Sequence, residues 1–217
     1  WMRKIEVMPP KIVSTSLNVV LGGAVMYMAL RNRESKAHEA ELSRQLAQSN
    51  HELTHDELTG LLNRRGMENL LQDATPPRAL LYIDGTNQKA VNDRLGHDRG
   101  DTTIIGTAGV LQNSLRPDDT VARFYGDEFL ALLSNEQRGS HQSTLEETLD
   151  TVKGRIHDET QAFLDLNPDL REVGFDLAVG GAIWESGMST IDLRQAAEAE
   201  MYAHKEQQHQ ANGKYRP

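Results

Sequence analysis

Uncharged and charged positions divide the chain into a head, a polar stretch and a longer body. Residues 12–30, reading IVSTSLNVVLGGAVMYMAL, are about 19 positions without a charge. At roughly 1.5 Å of rise per residue, a helix of that length just crosses the hydrocarbon core of a bilayer. Lys11 precedes the run, and Arg31 and Arg33 follow it. The expectation is a single membrane-spanning helix over residues 12–30. Ser14, Thr15, Ser16 and Asn18 dilute its apolarity, which keeps a signal-peptide-like start or a buried or interfacial helix as alternatives. From Glu34 to His55 the chain turns polar, with Leu42, Leu46 and Leu53 at a/d-compatible spacing around Ser49. Two readings stand for this stretch: a solvated helix, or a dimerising coiled-coil stalk.

Beyond residue 56 the hydrophobic period switches repeatedly. Residues 61–73 read as a helix, and 79–84 (ALLYID) as a short buried strand. A helix over about 99–115 follows. Residues 120–125 and 128–133 read as two strands separated by Gly126-Asp127 alone, a hairpin with a primed turn. Helix 141–166, strand 173–184 and helix 190–210 complete the order. The pattern predicts an α/β palm, a central mixed sheet flanked by helices. The expected organisation is 1–33 membrane anchor, 34–55 helical linker and 56–217 globular domain.

Composition narrows the chemistry. The 217 residues allow one ordinary domain plus an attachment. The absence of cysteine removes disulfides, thiolate nucleophiles and Cys-ligated metal centres. A net charge of −9 argues against a nucleic-acid partner. That charge is split: residues 1–36 carry net +4 and residues 37–217 net −13.

Two constellations invite a metal. His51-Glu52-Leu53-Thr54-His55 matches the HExxH pattern of zinc proteases, in which two His one helical turn apart hold zinc and the Glu acts as base. It closes a polar stretch with no third ligand at a family spacing, so a protease is only a remote alternative. The second constellation is Asp84 at the end of the first strand with Asp127 and Glu128 at the hairpin tip. If those strands are neighbours, three carboxylates converge on one hard cation such as Mg²⁺, suited to phosphoryl chemistry. Solvated acids at strand ends are the ordinary alternative.

Residues 56–66 (DELTGLLNRRG), 84–101 (DGTNQKAVNDRLGHDRGD), 123–129 (RFYGDEF), 178–180 (AVG) and 197–205 (AEAEMYAHK) together resemble, in order, the motifs of the GGDEF family of diguanylate cyclases. The resemblance implies a nucleotide-cyclase-like palm that condenses two GTP into cyclic di-GMP and pyrophosphate. Two domains meet face to face as a homodimer, and the 3′-hydroxyl of one nucleotide attacks the α-phosphate of the other. Carried over, Asp84, Asp127 and the Gly85 carbonyl hold Mg²⁺ (or Mn²⁺), and Glu128 ligates the metal or assists deprotonation. Asn92 and Asp101 read guanine, Gly126 borders the nucleotide, Lys205 matches a phosphate-binding Lys, and Lys89 matches the motif Lys of the first loop at the substrate site. Arg116 and Asp119 match the RxxD site where product docks and inhibits. Because GTP is cytosolic, the resemblance places the domain on the cytoplasmic side of the inner membrane, on a single-pass anchor.

The departures from the family pattern are specific. Tyr125 replaces the first Gly of the signature, Thr86 the second Asp of DxD, Gln88 the usual Phe, and His209 a basic residue. A Gly in a strand often marks close approach of a ligand, so Tyr125 could intrude on GTP or stack on it. The alternative function is therefore a catalytically inactive domain that binds cyclic di-GMP and signals by contact.

Overall fold

The computed structural model of the chain describes residues 10–76, 78–134 and 144–211. It divides into two units, Trp1–His51 and Glu52–Pro217. The described part of the first lies in helix α1, Pro10–Thr54, which continues three residues into the second unit. Leu42 and Leu46 stand exposed on α1. The side chains of residues 10–21 are not described, so much of the expected 12–30 span lies outside the described residues. Among those described, no helix is long and apolar enough to cross a membrane.

The second unit is built on β1 (Arg78–Thr86), β2 (Thr120–Tyr125), β3 (Glu128–Leu133) and β4 (Asp176–Trp184), lying in the order β2-β3-β1-β4. Every pairing is antiparallel, which corrects the mixed sheet expected from the sequence. The reason is topological. Helices α3 (Gln88–Leu95) and α4 (His97–Ser114) carry the chain from β1 to β2, which run the same way but leave a gap one strand wide. The hairpin sends β3 back through that gap. Helices α5 (Leu145–Leu166) and α6 (Pro168–Val173) then carry β3 to β4, with β1 filling the second gap. Two split β-α-β units interlock, so same-direction strands never touch.

Period-two alternation assigns each strand residue a face. Leu81, Ile83, Phe129 and Ala131 pack with Leu111 of α4 and with Val152 and Ile156 of α5. Leu80, Tyr82, Leu130 and Leu132 pack with Met67 and Leu71 of α2 (Arg64–Asp73) and with Leu193, Ala197 and Met201 of α7 (Thr190–Ala211). Both faces are covered, which is why β1 reads as a continuous apolar run rather than an alternating one. Each large side chain buried there contributes about 1.5–3 kcal/mol.

Three boundaries differ from the sequence reading. Helix α2 begins at Arg64 because Asn63 caps it, its side chain accepting from Gly66 N–H at 3.0 Å. The single helix expected at 99–115 is preceded by α3, the two being parted at Gly96. Helix α5 starts at Leu145, with Thr144 as its N-cap in a capping box with Glu147, and residues 141–143 lie outside the described residues.

Among the described residues, the outer edge of β4 is closed by side chains of α7. Val179 N–H donates to His204 Nδ1 at 3.0 Å, Gly181 N–H donates to Glu200, and Gln208 Nε2 donates to the Leu177 carbonyl at 3.0 Å. Four residues of helix advance about 6 Å and two residues of strand about 6.8 Å, so positions 200, 204 and 208 match 181, 179 and 177. The fit requires very close docking of α7. A Cβ on Gly180 would sit 1.9 Å from the Met201 backbone nitrogen.

Candidate functional site

The sheet topology brings the three predicted acids to one end of the central strands. Asp84 on β1 lies directly across from Glu128 on β3. Asp127 is carried by the turn between β2 and β3, where Gly126 adopts φ +46°, a left-handed conformation that favours glycine. Gly85 N–H donates to the Asp127 carbonyl at 3.2 Å. A Cβ on Gly85 would lie 3.3 Å from Asp127 Cβ and 3.5 Å from its Oδ2, so the carboxylate rests against the β1 backbone.

Negative charge is crowded at this end. Burial, then the Asp84 charge, raises the Asp127 carboxyl above its ordinary range. Burial also raises Glu128, with Asp84, Asp127 and Glu198 adding to the effect and a hydrogen bond from Tyr82 opposing it. The nearest counter-charge is Lys205 of α7, whose Nζ pairs with Asp84 Oδ1 at 2.5 Å. The donors on offer are hard oxygens: two carboxylates from touching elements and the Gly85 carbonyl. That set suits Mg²⁺, which takes one or two carboxylates and completes its shell with water and phosphate. A closed three-acid cage is not formed: among the described residues, no group of three or more His, Asp or Glu side chains is arranged to hold a metal ion.

The remaining predicted residues lie around this cluster in distinct settings. Lys89 is exposed on the first turn of α3. Asn92, half-buried on α3, lies over Gly100, where an added Cβ would meet its Oδ1 at 1.7 Å; Asp101 follows at once, exposed on α4. The small residue at position 100 thus lets the Asn92 amide pack closely against α4. Of the substituted positions, Gln88 is buried and donates from Nε2 to the Gly100 carbonyl at 3.1 Å. Thr86 is also buried and donates to Gln208 Oε1 at 3.0 Å, so it serves the α7 contact. The side chain of His209 lies outside the described residues.

Arg116 and Asp119 stand on the turn before β2, bordering a cavity of about 390 Å³ with Leu61, Gln112 and Thr120. They do not pair with each other through their side chains. Asp119 accepts from the backbone N–H of Arg116 at 3.0 Å and of Ser134 at 2.8 Å. The Arg116 side chain is exposed and, among the described residues, has no carboxylate partner.

Tyr125 points toward α2. Its ring lies edge-on to Phe124, centroids 5.0 Å apart, and the Arg64 guanidinium sits 4.7 Å above it. It lines a cavity of about 530 Å³ with Arg64, Arg65, Glu68, Arg123 and Gly126, of which Gly126 alone is among the residues expected beside GTP. The HExxH pattern does not survive folding: α1 ends at Thr54, and His55 leaves it to form a bridge with Leu62. The motif's second His is therefore not on the helix that carries the first.

Two contributors escaped sequence reasoning. Arg64 became visible only when the hairpin was seen to fold onto α2. Tyr82 donates to Glu128 Oε2 at 2.8 Å. Alternation already places residues 82 and 84 on one face of β1, but the strand register was needed to put Glu128 beside them.

Comparison with known proteins agrees with this geometry. The family described as "Diguanylate cyclase, GGDEF domain" matches residues 53–211. Diguanylate cyclase TpbB of Pseudomonas aeruginosa is 41% identical over 108 residues, covering 46% of this chain and 25% of that protein. The bifunctional diguanylate cyclase/cyclic di-GMP phosphodiesterase MucR of the same organism is 33% identical over 207 residues, 88% of this chain and 29% of that protein. The chain thus spans between a quarter and a third of these relatives. The solved GGDEF domain of TpbB is 32% identical with a TM-score of 0.56, covering 70% of this chain and 89% of that one. A coiled-coil and GGDEF structure of DgcB from Caulobacter crescentus, in complex with c-di-GMP, reaches a TM-score of 0.66 at 22% identity, over 83% of this chain and 95% of that one, and speaks for the fold. Motifs, sheet order and the family match over residues 53–211 agree, and the chain belongs to the GGDEF domain family.

Proposed function

We propose that the chain is a diguanylate cyclase that joins two GTP molecules into cyclic di-GMP and releases two pyrophosphates. The observation that carries the reading is the contact of Asp127 with Gly85 beside Asp84, a two-carboxylate edge crowded with negative charge. The relatives named as diguanylate cyclases support the same reading. Asp84, Asp127 and the Gly85 carbonyl would hold a divalent cation, Mg²⁺ or Mn²⁺. When bound, that ion supplies positive charge at the phosphate and acidifies the attacking hydroxyl.

The chain's own residues do the rest. Glu128 Oε2 is occupied by Tyr82, which leaves Oε1 to take the proton of the 3′-hydroxyl. The 3′-oxygen forms its bond to the α-phosphorus, and the bond from that phosphorus to the pyrophosphate oxygen breaks. Asn92 and Asp101 read the guanine edge, where an unpaired buried polar group costs about 1–3 kcal/mol and so disfavours adenine. Lys205 is shared between Asp84 and the incoming triphosphate, and Lys89 meets the phosphates from solvent. Each domain holds one GTP, so the reaction needs a second copy of the chain, and the exposed Leu42 and Leu46 of α1 are the side chains that could seat a partner helix. Product inhibition at Arg116 and Asp119 is supported by the exposed Arg116 guanidinium, a fork suited to phosphate or a guanine edge. Membrane attachment through residues 12–30, with the domain facing the cytoplasm, rests on the uncharged run in the sequence alone.

The test is to incubate the full chain with GTP and Mg²⁺ and separate the nucleotides by chromatography. Cyclic di-GMP and pyrophosphate are expected from the wild type and none from Asp127→Ala. Equal product from both would overturn the site. Cyclic di-GMP binding with no synthesis would establish the binding-module alternative, which the exposed Arg116 favours.

A further inference from the structure

The Tyr82 hydroxyl is buried on the α2/α7 face of the sheet, with its ring edge-on to Phe124 at 6.5 Å. A tyrosine enclosed by apolar neighbours must find a partner for its hydroxyl, or phenylalanine would serve the core better. Its partner is Glu128 Oε2, at 2.8 Å. In the register, Tyr82 faces Leu130 and Asp84 faces Glu128, so Tyr82 and Glu128 are diagonal neighbours on one sheet face. That diagonal is about 7–8 Å between backbones, a gap a long aromatic side chain can close. Burial, then the hydrogen bond to Glu128 and its charge, holds the phenol far above its usual range, so the hydroxyl keeps the proton it donates to the carboxylate. The charged groups around the pair are Asp84, Asp127 and Glu198, with Arg194 and Lys205 opposing them.

We propose that Tyr82 is a positioning residue for the cyclase reaction, fixing the Glu128 carboxylate so that its Oε1 meets the attacking hydroxyl. The inference rests on the function proposed above and goes beyond it by assigning a role to a strand residue outside the family's motifs. The terminal torsion of a glutamate is broad and nearly free. One bond from a rigid, packed phenol removes that freedom before substrate arrives, and reacting groups held in place account for a large part of rate enhancement.

The test compares Tyr82→Phe with wild type in the full chain, reading kcat and KM for GTP. It adds urea midpoints for Tyr82→Phe, Glu128→Ala and the double variant. Loss of a hydrogen bond to a charged group predicts a fall in kcat on the order of ten- to a hundredfold. KM is expected to stay within about twofold, because binding does not pass through this bond. The double variant should lose less stability than the two single losses added together, a coupling that reads the bond without any turnover. Wild-type kcat in Tyr82→Phe, a rise in KM alone, or additive stability losses would each overturn the inference while leaving the cyclase reading intact. A wild type that makes no cyclic di-GMP would overturn the cyclase reading itself, and any catalytic meaning of the bond with it.

Discussion

Tyr125 decides how the departure from the family signature is understood. Its ring is held by Arg64 and Phe124 on the α2 side of the hairpin. Replacing it should therefore change synthesis little. Tyr125→Gly is expected to keep kcat within about threefold, and to lose about 1–2 kcal/mol of stability with the aromatic and cation–π contacts. A jump in cyclic di-GMP output would show instead that the phenol throttles the enzyme. The acids behave in the opposite sense. Asp127 is raised above its unfolded value by burial and by Asp84, so its contribution to stability is present below the unfolded pKa and is lost as pH rises through the folded one. At neutral pH the native state thus carries a carboxylate it holds at a disadvantage. Asp127→Asn should raise the melting temperature at pH 7 while abolishing synthesis, and the gain should shrink toward pH 4. An equal or lower melting temperature at pH 7 would contradict the crowding of charge described here.

At the level of elements, α7 couples the sheet edge to the site. The column Glu200, His204 and Gln208 closes β4, and Lys205 on the same helix reaches Asp84. A side chain at position 180 would strike helix backbone, which cannot yield as a flexible side chain can. Gly180→Ala should destabilise the domain by about 1–3 kcal/mol and lower synthesis by displacing Lys205. Urea denaturation and GTP turnover read the two effects, and a variant equal to wild type in both would remove the coupling. The sequence marked Gly180 as part of a family motif without giving its reason, because the close approach involves a helix 20 residues away. Strand order was hidden for a similar cause. Periodicity located β1, the hairpin and β4, with both hairpin strands placed to the residue. It carries no information on which strand fills which gap, and that alone decides between mixed and antiparallel sheets. Helix α3 was missed because its eight residues, broken by Gly96, are too short to show a helical period.

On the scale of the whole molecule, Asp84, Asp127 and Glu128 were legible as a convergent set because a strand end and a two-residue turn fix them in sequence. Tyr82 was not, since it reads as one more apolar residue in a buried strand until β3 is laid beside it. What one domain contains is half of the proposed chemistry: one acidic edge, one guanine-reading pair and one Lys205. Cyclic di-GMP requires two phosphodiester bonds, each made at one such edge, so a dimer with one disabled edge can form the first bond and not close the ring. If wild type and Asp127→Ala are mixed in equal amounts and allowed to exchange, random pairing leaves about a quarter of the dimers with two working halves. Cyclic product should then fall to about a quarter of the rate that wild type alone gives at the same total protein concentration, and the linear dinucleotide should accumulate. Independent monomers would give half the rate and no linear species, and that outcome would rule out the face-to-face dimer as the unit of catalysis.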